Sequence, residues 1–255
     1  MAQLGEALSE RDRRLLRDVA DLRLVTGSQL QRLAFAGPGA SSHNARVARR
    51  ALERLTRLGL LQRLHRRVGG VRAGSSSFVY AVTPAGGEAI GRQVSRGRVR
   101  EPRLTFLTHQ LAVAEIVVML REAHDRGVLQ ELHIETEPTC WRPLDDGTAS
   151  ILKPDLYVSV VLADEELLAF LEFDNDTEHA AALDRKTALY RAHYRSGREQ
   201  QAEGVFPEVL WLATDERRRQ QLRAACDRQA GLAGLHRVLA PEQLLHYITK
   251  GGDDE

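Results

Sequence analysis

The charge of this chain is divided along its length, and that division constrains its folding more than any other feature. Residues 1–100 hold 19 Arg, no Lys and 7 acids, a net of 19 − 7 = +12; residues 101–255 hold 17 basic and 28 acidic side chains, a net of 17 − 28 = −11. The overall charge of +1 conceals both. At 255 residues the chain is long enough for two domains, each burying a core of its own. An excess of one sign in each half describes a polyanion-binding part joined to something different. Two surfaces of opposite sign docked on each other are the alternative.

Local pattern in the basic half predicts three helices and a hairpin. Ser9 is a candidate N-cap for a helix with Leu15, Leu16, Val19 and Leu22 on one side. Ser28 is a second candidate cap, ahead of Leu30 and Leu33. A third helix is expected from Ser42 to Leu58, ended by Gly59, with Val47, Ala51, Leu55 and Leu58 facing the core. LLQRLHRRV and SFVYAVT then read as strands around a Gly/Ser-rich tip. Three helices followed by a basic hairpin predict an α+β winged helix-turn-helix over residues 1–91. There the third helix enters the major groove of double-stranded DNA and the hairpin reaches the backbone. Arg46, Arg49, Arg50, Arg54 and Arg57 are the candidate contacts on the helix. Arg63, Arg66, Arg67 and Arg72 are those on the wing.

Residues 92–103 read as a basic linker, and 251–255 as an acidic tail. Between them, a helix from Leu104 to Arg126 and strands in LQELHIETEP, LKPDLYVSVVL and LLAFLEFDND are expected. A helix from Glu178 to Ser196, a strand in VFPEVLWLAT, a helix in DERRRQQLRAACDRQA and a strand in LHRVL follow. The order α-β-β-β-α-β-α-β over residues 104–250 predicts an α/β domain with a mixed central sheet.

Chemistry concentrates at the strand ends. Asp155 follows Lys153-Pro154, while Glu172 and Asp174 lie two apart and so share one sheet face. If their strands pair, Asp155 and Glu172 converge on one divalent cation, for which hard carboxylate oxygens suit Mg²⁺ or Mn²⁺. Such an ion would stabilise charge on a scissile phosphate and activate water.

The order of these elements around Pro154-Asp155 and Glu172 resembles the PD-(D/E)xK nuclease superfamily, and Glu115 matches the helical acid many members carry. The whole chain, from about residue 10 to 215, looks like the replication-relaxation family of plasmids and integrated elements. The carrying residues are Arg49-Arg50 with Leu52, Arg57-Leu-Gly-Leu-Leu61, Val79-Tyr-Ala-Val-Thr83 and His109-Gln-Leu-Ala-Val113. Pro154-Asp155, Glu172-Phe-Asp174 through Thr177-Glu178, and Lys186 with Tyr190 complete them. The resemblance implies a DNA-binding protein of replication or relaxation with a nuclease-like second domain. The catalytic set it implies is Asp155, Glu172, Lys186, Glu115 and Asp174.

Asp174 stands where the nuclease pattern has lysine, and a carboxylate cannot replace an ammonium. Lys186, on the following helix, is the candidate substitute; the chain has 33 Arg and only three Lys, at 153, 186 and 250. The alternative is a non-enzymatic regulator or replication accessory factor. Its second domain would be a degenerate nuclease fold serving a homodimer or docking replication or mobilisation proteins.

Other chemistry lacks its signature. The sequence has no GxxxxGK[ST], no HxH pair and no HExxH. His109 reads as a hydrogen-bonded core residue, and Tyr190 and Tyr194 as packing. Cys140 and Cys226 have no CxxC spacing and suit a reduced compartment. With no signal-peptide core and no apolar run near membrane-spanning length, the expected location is cytoplasmic.

Overall fold

The structure, a computed structural model, describes residues 8–35, 42–68, 77–94, 101–144, 150–163, 165–175, 180–229 and 234–250. Of residues 35, 42, 65–68 and 77 only the backbone is described. Arg72, Thr177, Glu178 and the tail fall outside, as does much of the expected linker. The chain is an α+β protein that divides into two compact units, 1–118 and 119–255.

In the first unit, α1 (Glu10–Leu22) opens with the expected cap at Ser9: its Oγ accepts from Asp12 N, 3.2 Å, and the Asp12 carboxylate accepts from Ser9 N, 3.1 Å. Leu15, Leu16, Val19 and Leu22 are buried as the spacing requires. The short strand β1 (Val25–Thr26) was not expected; it adds to the hairpin and leads into α2 (Gly27–Phe35). Thr26 caps α2 instead of Ser28, because its Oγ accepts from Gln29 N while Gln29 Oε1 accepts from Thr26 N.

Helix α3 (Ser42–Arg57) buries Ala48, Ala51, Leu52 and Leu55 and turns at Gly59, φ +73°. The core face is therefore rotated from the expected one: Val47 is half-buried and Leu58, beyond the last turn, is exposed. Strands β2 (Leu61–Val68) and β3 (Ser77–Val82) pair antiparallel, in sheet order β1-β3-β2. The helix α4 (Pro84–Ala89) packs so tightly that a Cβ on Gly86 would lie 2.1 Å from the Leu60 carbonyl oxygen, which admits only glycine.

Helix α5 (Leu104–Asp125) crosses the division between the units. Its Leu107 and Leu111 join Leu24, Leu64, Val79 and Ala81 in one core cluster, so the first unit extends to Val118, past the boundary expected near residue 103. Contrary to expectation, α5 is long and apolar enough to cross a membrane by length and composition, with mean hydropathy 1.4. Those buried leucines make its first half a core helix. His109 on it is half-buried, whereas the neighbouring Gln110 is buried.

In the second unit one five-stranded mixed sheet has the spatial order His236–Leu239, Glu208–Ala213, Glu165–Asp174, Leu156–Leu162 and Glu131–Thr136. Strands β4 (Glu131–Thr136), β7 (Leu156–Leu162) and β8 (Glu165–Asp174) are antiparallel neighbours. A two-stranded ribbon, β5 (Arg142–Pro143) with β6 (Ile151–Leu152), lies between β4 and β7 in sequence. After β8 come α6 (Ala180–Ser196) and α7 (Arg198–Glu203). Then β9 (Glu208–Ala213), α8 (Glu216–Asp227), β10 (His236–Leu239) and α9 (Leu244–Lys250) complete the chain. Strands β8, β9 and β10 run parallel, as helical crossovers require.

One sheet face presents Tyr157, Leu168, Phe170 and Trp211 to Leu183 and Tyr190 of α6 and Leu222 and Ala225 of α8. The opposite face, with Leu156, Val158, Ala169 and Leu171, is buried as well. An unbroken apolar run such as LLAFL (167–171) needs cover on both faces. The expected element order holds, and the ribbon β5–β6, α7 and α9 are additions to it.

His236 titrates within this core. Burial pushes its imidazole down to about 4, and Nδ1 accepts a 3.0 Å hydrogen bond from Trp211 Nε1, so a proton added there would meet the indole N–H. The unfolded state takes up a proton near pH 6.5, where the folded state does not. The contribution of His236 is therefore complete above about pH 6.5 and falls by about 3 kcal/mol as pH drops toward 4. His236→Asn keeps an acceptor for Trp211 without a titrating group, and the difference in urea-unfolding free energy between the native protein and this variant, in which the other titrating groups cancel, should show that slope.

Candidate nucleic-acid interface and carboxylate cluster

The predicted contact arginines do not behave alike. Arg46, Arg49, Arg50 and Arg57 are exposed on α3, opposite its buried face. Positions 46, 50, 53 and 57 form one stripe along the helix, so Glu53 lies among the arginines. Arg54 is different: it pairs with Asp12, a carboxylate only 1% exposed, and ties α3 to α1. Its charge is largely committed to the fold. A cleft of about 570 Å³ lies between the start of α1 and α3, lined by Arg11, Arg50, Arg54 and Arg57 with Asp12 and Glu53. On the hairpin, Arg63 is exposed and its guanidinium lies 4.2 Å from the centre of the Phe78 ring. Arg66 and Arg67 lie on β2, with side chains outside the described residues.

The nuclease-pattern residues separate into two groups. Glu115 belongs to the first unit, where it accepts from Gln29 Nε2 at 3.0 Å and pairs with Arg32. The others meet in the second unit. Leu156 pairs with Leu171 at the end of the β7–β8 ladder, so Asp155 and Glu172 lie just beyond that pair. Asp155 N donates to Leu171 O at 3.2 Å, one residue out of the strand register, and holds the start of β7 against β8. The Asp155 carboxylate accepts from Phe173 N at 2.7 Å.

Glu172, 1% exposed, faces α6. Tyr190 Oη donates to its Oε1 at 2.6 Å, and the Lys186 ammonium stands 2.5 Å from its Oε2. Burial pushes the Glu172 carboxyl up to about 7, against the opposing pull of Lys186. Lys186 thus reaches Glu172 from the helix, one turn before Tyr190. Asp174 lies on the same side of β8 but turns to α8, where the buried Arg218 holds both its oxygens, Nε to Oδ1 at 2.7 Å and Nη2 to Oδ2 at 2.8 Å.

Two contributors, Arg218 and Cys140, are not marked by the sequence. Arg218 lies in a run of three arginines, and no spacing sets it apart. Tyr190, expected as packing, is buried and also donates to Glu172. Cys140, its thiol pushed up to about 12 by burial, donates to the Pro154 carbonyl at 3.1 Å and braces the turn that delivers Asp155. No signal in the sequence joins residues 140 and 154.

A Mg²⁺ ion needs oxygens it can approach to about 2.0–2.1 Å, with room for several of them. Glu172 Oε1, both oxygens of Asp174 and one of Asp155 accept hydrogen bonds, and Glu172 Oε2 is ion-paired with the Lys186 ammonium. Among the described residues no three His, Cys, Asp or Glu side chains converge as a ligand set. As arranged here, these side chains do not fit a resident divalent ion.

The two units define a class: an α+β protein in which an arginine-bearing helical unit precedes a mixed-sheet unit with a carboxylate-ammonium cluster. The replication-relaxation family model matches residues 16–209, and the chain belongs to that family. No curated protein matches the sequence. Among solved structures, restriction endonuclease FokI is 13% identical with a TM-score of 0.25, over 94% of this chain and 70% of that one. At that level the likeness carries no argument.

The Asp174–Arg218 pair yields a stability test. Removing one partner of a buried ion pair costs roughly 3–5 kcal/mol, while an apolar replacement of both costs far less. Arg218→Met should therefore lower unfolding free energy in urea by about that amount. The double variant Asp174→Leu with Arg218→Met should recover most of it.

Proposed function

We propose that this protein serves replication or relaxation of a plasmid or integrated element by binding double-stranded DNA. The first unit would bind as a winged helix-turn-helix, with α3 in the major groove and the β2–β3 hairpin as the wing. The second unit, whose order of elements around Asp155 and Glu172 resembles the PD-(D/E)xK pattern, would act as a scaffold for pairing or docking without a metal-dependent cut. The observation that carries the reading is the exposed arginine face of α3, held outward by a helix whose other side is buried. Family membership supports the link to replication and relaxation. The engaged oxygens of Glu172 and Asp174 support binding without cutting.

Duplex affinity of the full chain, measured by fluorescence anisotropy across a salt series, tests the first half. Each neutralised phosphate contributes about −0.9 to the slope of log K against log salt, so five arginine contacts predict roughly −4 to −5. Arg46→Ala with Arg50→Ala should make the slope shallower by up to about two units. Arg54→Ala should act mainly on stability, because it strands the buried Asp12. Absence of duplex affinity at low salt would overturn the proposal. Supercoiled plasmid should stay intact with Mg²⁺ or Mn²⁺; nicking that Asp155→Asn abolishes would convert the second unit into a nuclease.

A further inference from the structure

Lys186 answers a specific electrostatic problem. Asp155 and Glu172 lie just beyond the last β7–β8 pair, 8% and 1% exposed, and the Asp155 charge repels that of Glu172 in this poorly hydrated site. A nuclease-like centre relieves that repulsion with a divalent cation. Here the ammonium of Lys186 stands 2.5 Å from Glu172 Oε2, its side chain 24% exposed and 5.7 Å from the face of Trp211. The indole face is itself an attractive surface for a cation. Tyr190 fills the other Glu172 oxygen from the next turn of α6. Lys186 is one of three lysines in a chain with 33 arginines, and a planar guanidinium could not occupy the place of a compact point charge.

We propose that Lys186 is the resident cation of the Asp155–Glu172 pair: its ammonium takes the place a divalent ion would need, and removing it creates a metal site. This rests on reading the second unit as a non-cutting scaffold. It is tested on protein without DNA, so its failure is separate from loss of duplex binding or from plasmid nicking.

The side chain thus acts as an internal competitor. An incoming Mn²⁺ would have to displace an ammonium already paired with Glu172 and tethered by α6. With a neutral residue at 186, Glu172 would lose its ion-pair partner, and the carboxylates would accept a cation from solution.

Thermal melting of the full chain in mildly alkaline buffer, with MnCl₂ or MgCl₂ against a salt of matched ionic strength, provides the test. The native protein should show no ion-specific shift. Lys186→Gln should melt lower without metal and rise by about 3–5 °C at an Mn²⁺ concentration ten times its dissociation constant. The rise should vanish when Asp155→Asn is added.

A second measurement needs no substitution at 186. In protein labelled with ¹³C-lysine the three lysines give three sets of side-chain signals, assigned with Lys153→Arg and Lys250→Arg. Paramagnetic Mn²⁺ should leave the Lys186 signals unbroadened. An Mn²⁺ shift in the native protein that depends on Asp155, bleaching of the Lys186 signals, or a folded Lys186→Gln protein indifferent to Mn²⁺ would each overturn the proposal.

Discussion

The second unit depends on a carboxylate buried at the end of its central strand. Glu172 follows a run of apolar residues on β8, between β7 and the parallel β9, where no water can solvate its charge. A buried carboxylate persists only with a cation or donors on its oxygens. Lys186 and Tyr190 meet that need from one helix, which fixes the rotation of α6 against the sheet. The same rotation turns Leu183 and Tyr190 into the aromatic core around Phe170 and Trp211. The polar cluster and the apolar core are two consequences of one docking geometry.

The row of acids along β8 repeats the solution with a different partner. Asp174 shares its sheet face with Glu172 but is answered from α8 by Arg218, whose planar fork matches both carboxylate oxygens. Each acid at this end of β8 therefore ties one helix to that central strand. In a chain with few lysines, the choice of Lys at 186 and Arg at 218 follows from geometry: a point charge beside one oxygen, a fork across two.

The first unit uses charge differently. Asp12 is buried beneath α3 and draws Arg54 inward, while Arg46, Arg49, Arg50 and Arg57 remain at the surface. The helix sorts its own arginines into one that braces the fold and four that remain available to a polyanion. Gln29 acts as a similar brace, capping α2 at Thr26 and donating to the Leu111 carbonyl of α5. That bond, with the packing of Leu107 and Leu111, draws the first half of α5 into the first unit.

Sequence by itself determined the local elements: the Ser9 cap, the stop at Gly59, the apolar strands and the order of strands and helices around Asp155 and Glu172. These are properties of neighbouring residues, whose propensities, caps and periodicities act over a few positions. The tertiary structure decided which charges are answered and by whom. The sequence places Asp155 and Glu172 at strand ends, but the pairing of β7 with β8 brings them near each other. The Glu172–Lys186 separation is legible, whereas the bond itself requires the rotation of α6. Asp174 with Arg218, Asp12 with Arg54 and Glu115 with Arg32 span 44, 42 and 83 residues, beyond any local pattern. Ion pairs at such range leave no periodic trace, because any arginine could serve until packing brings one within reach and buries it.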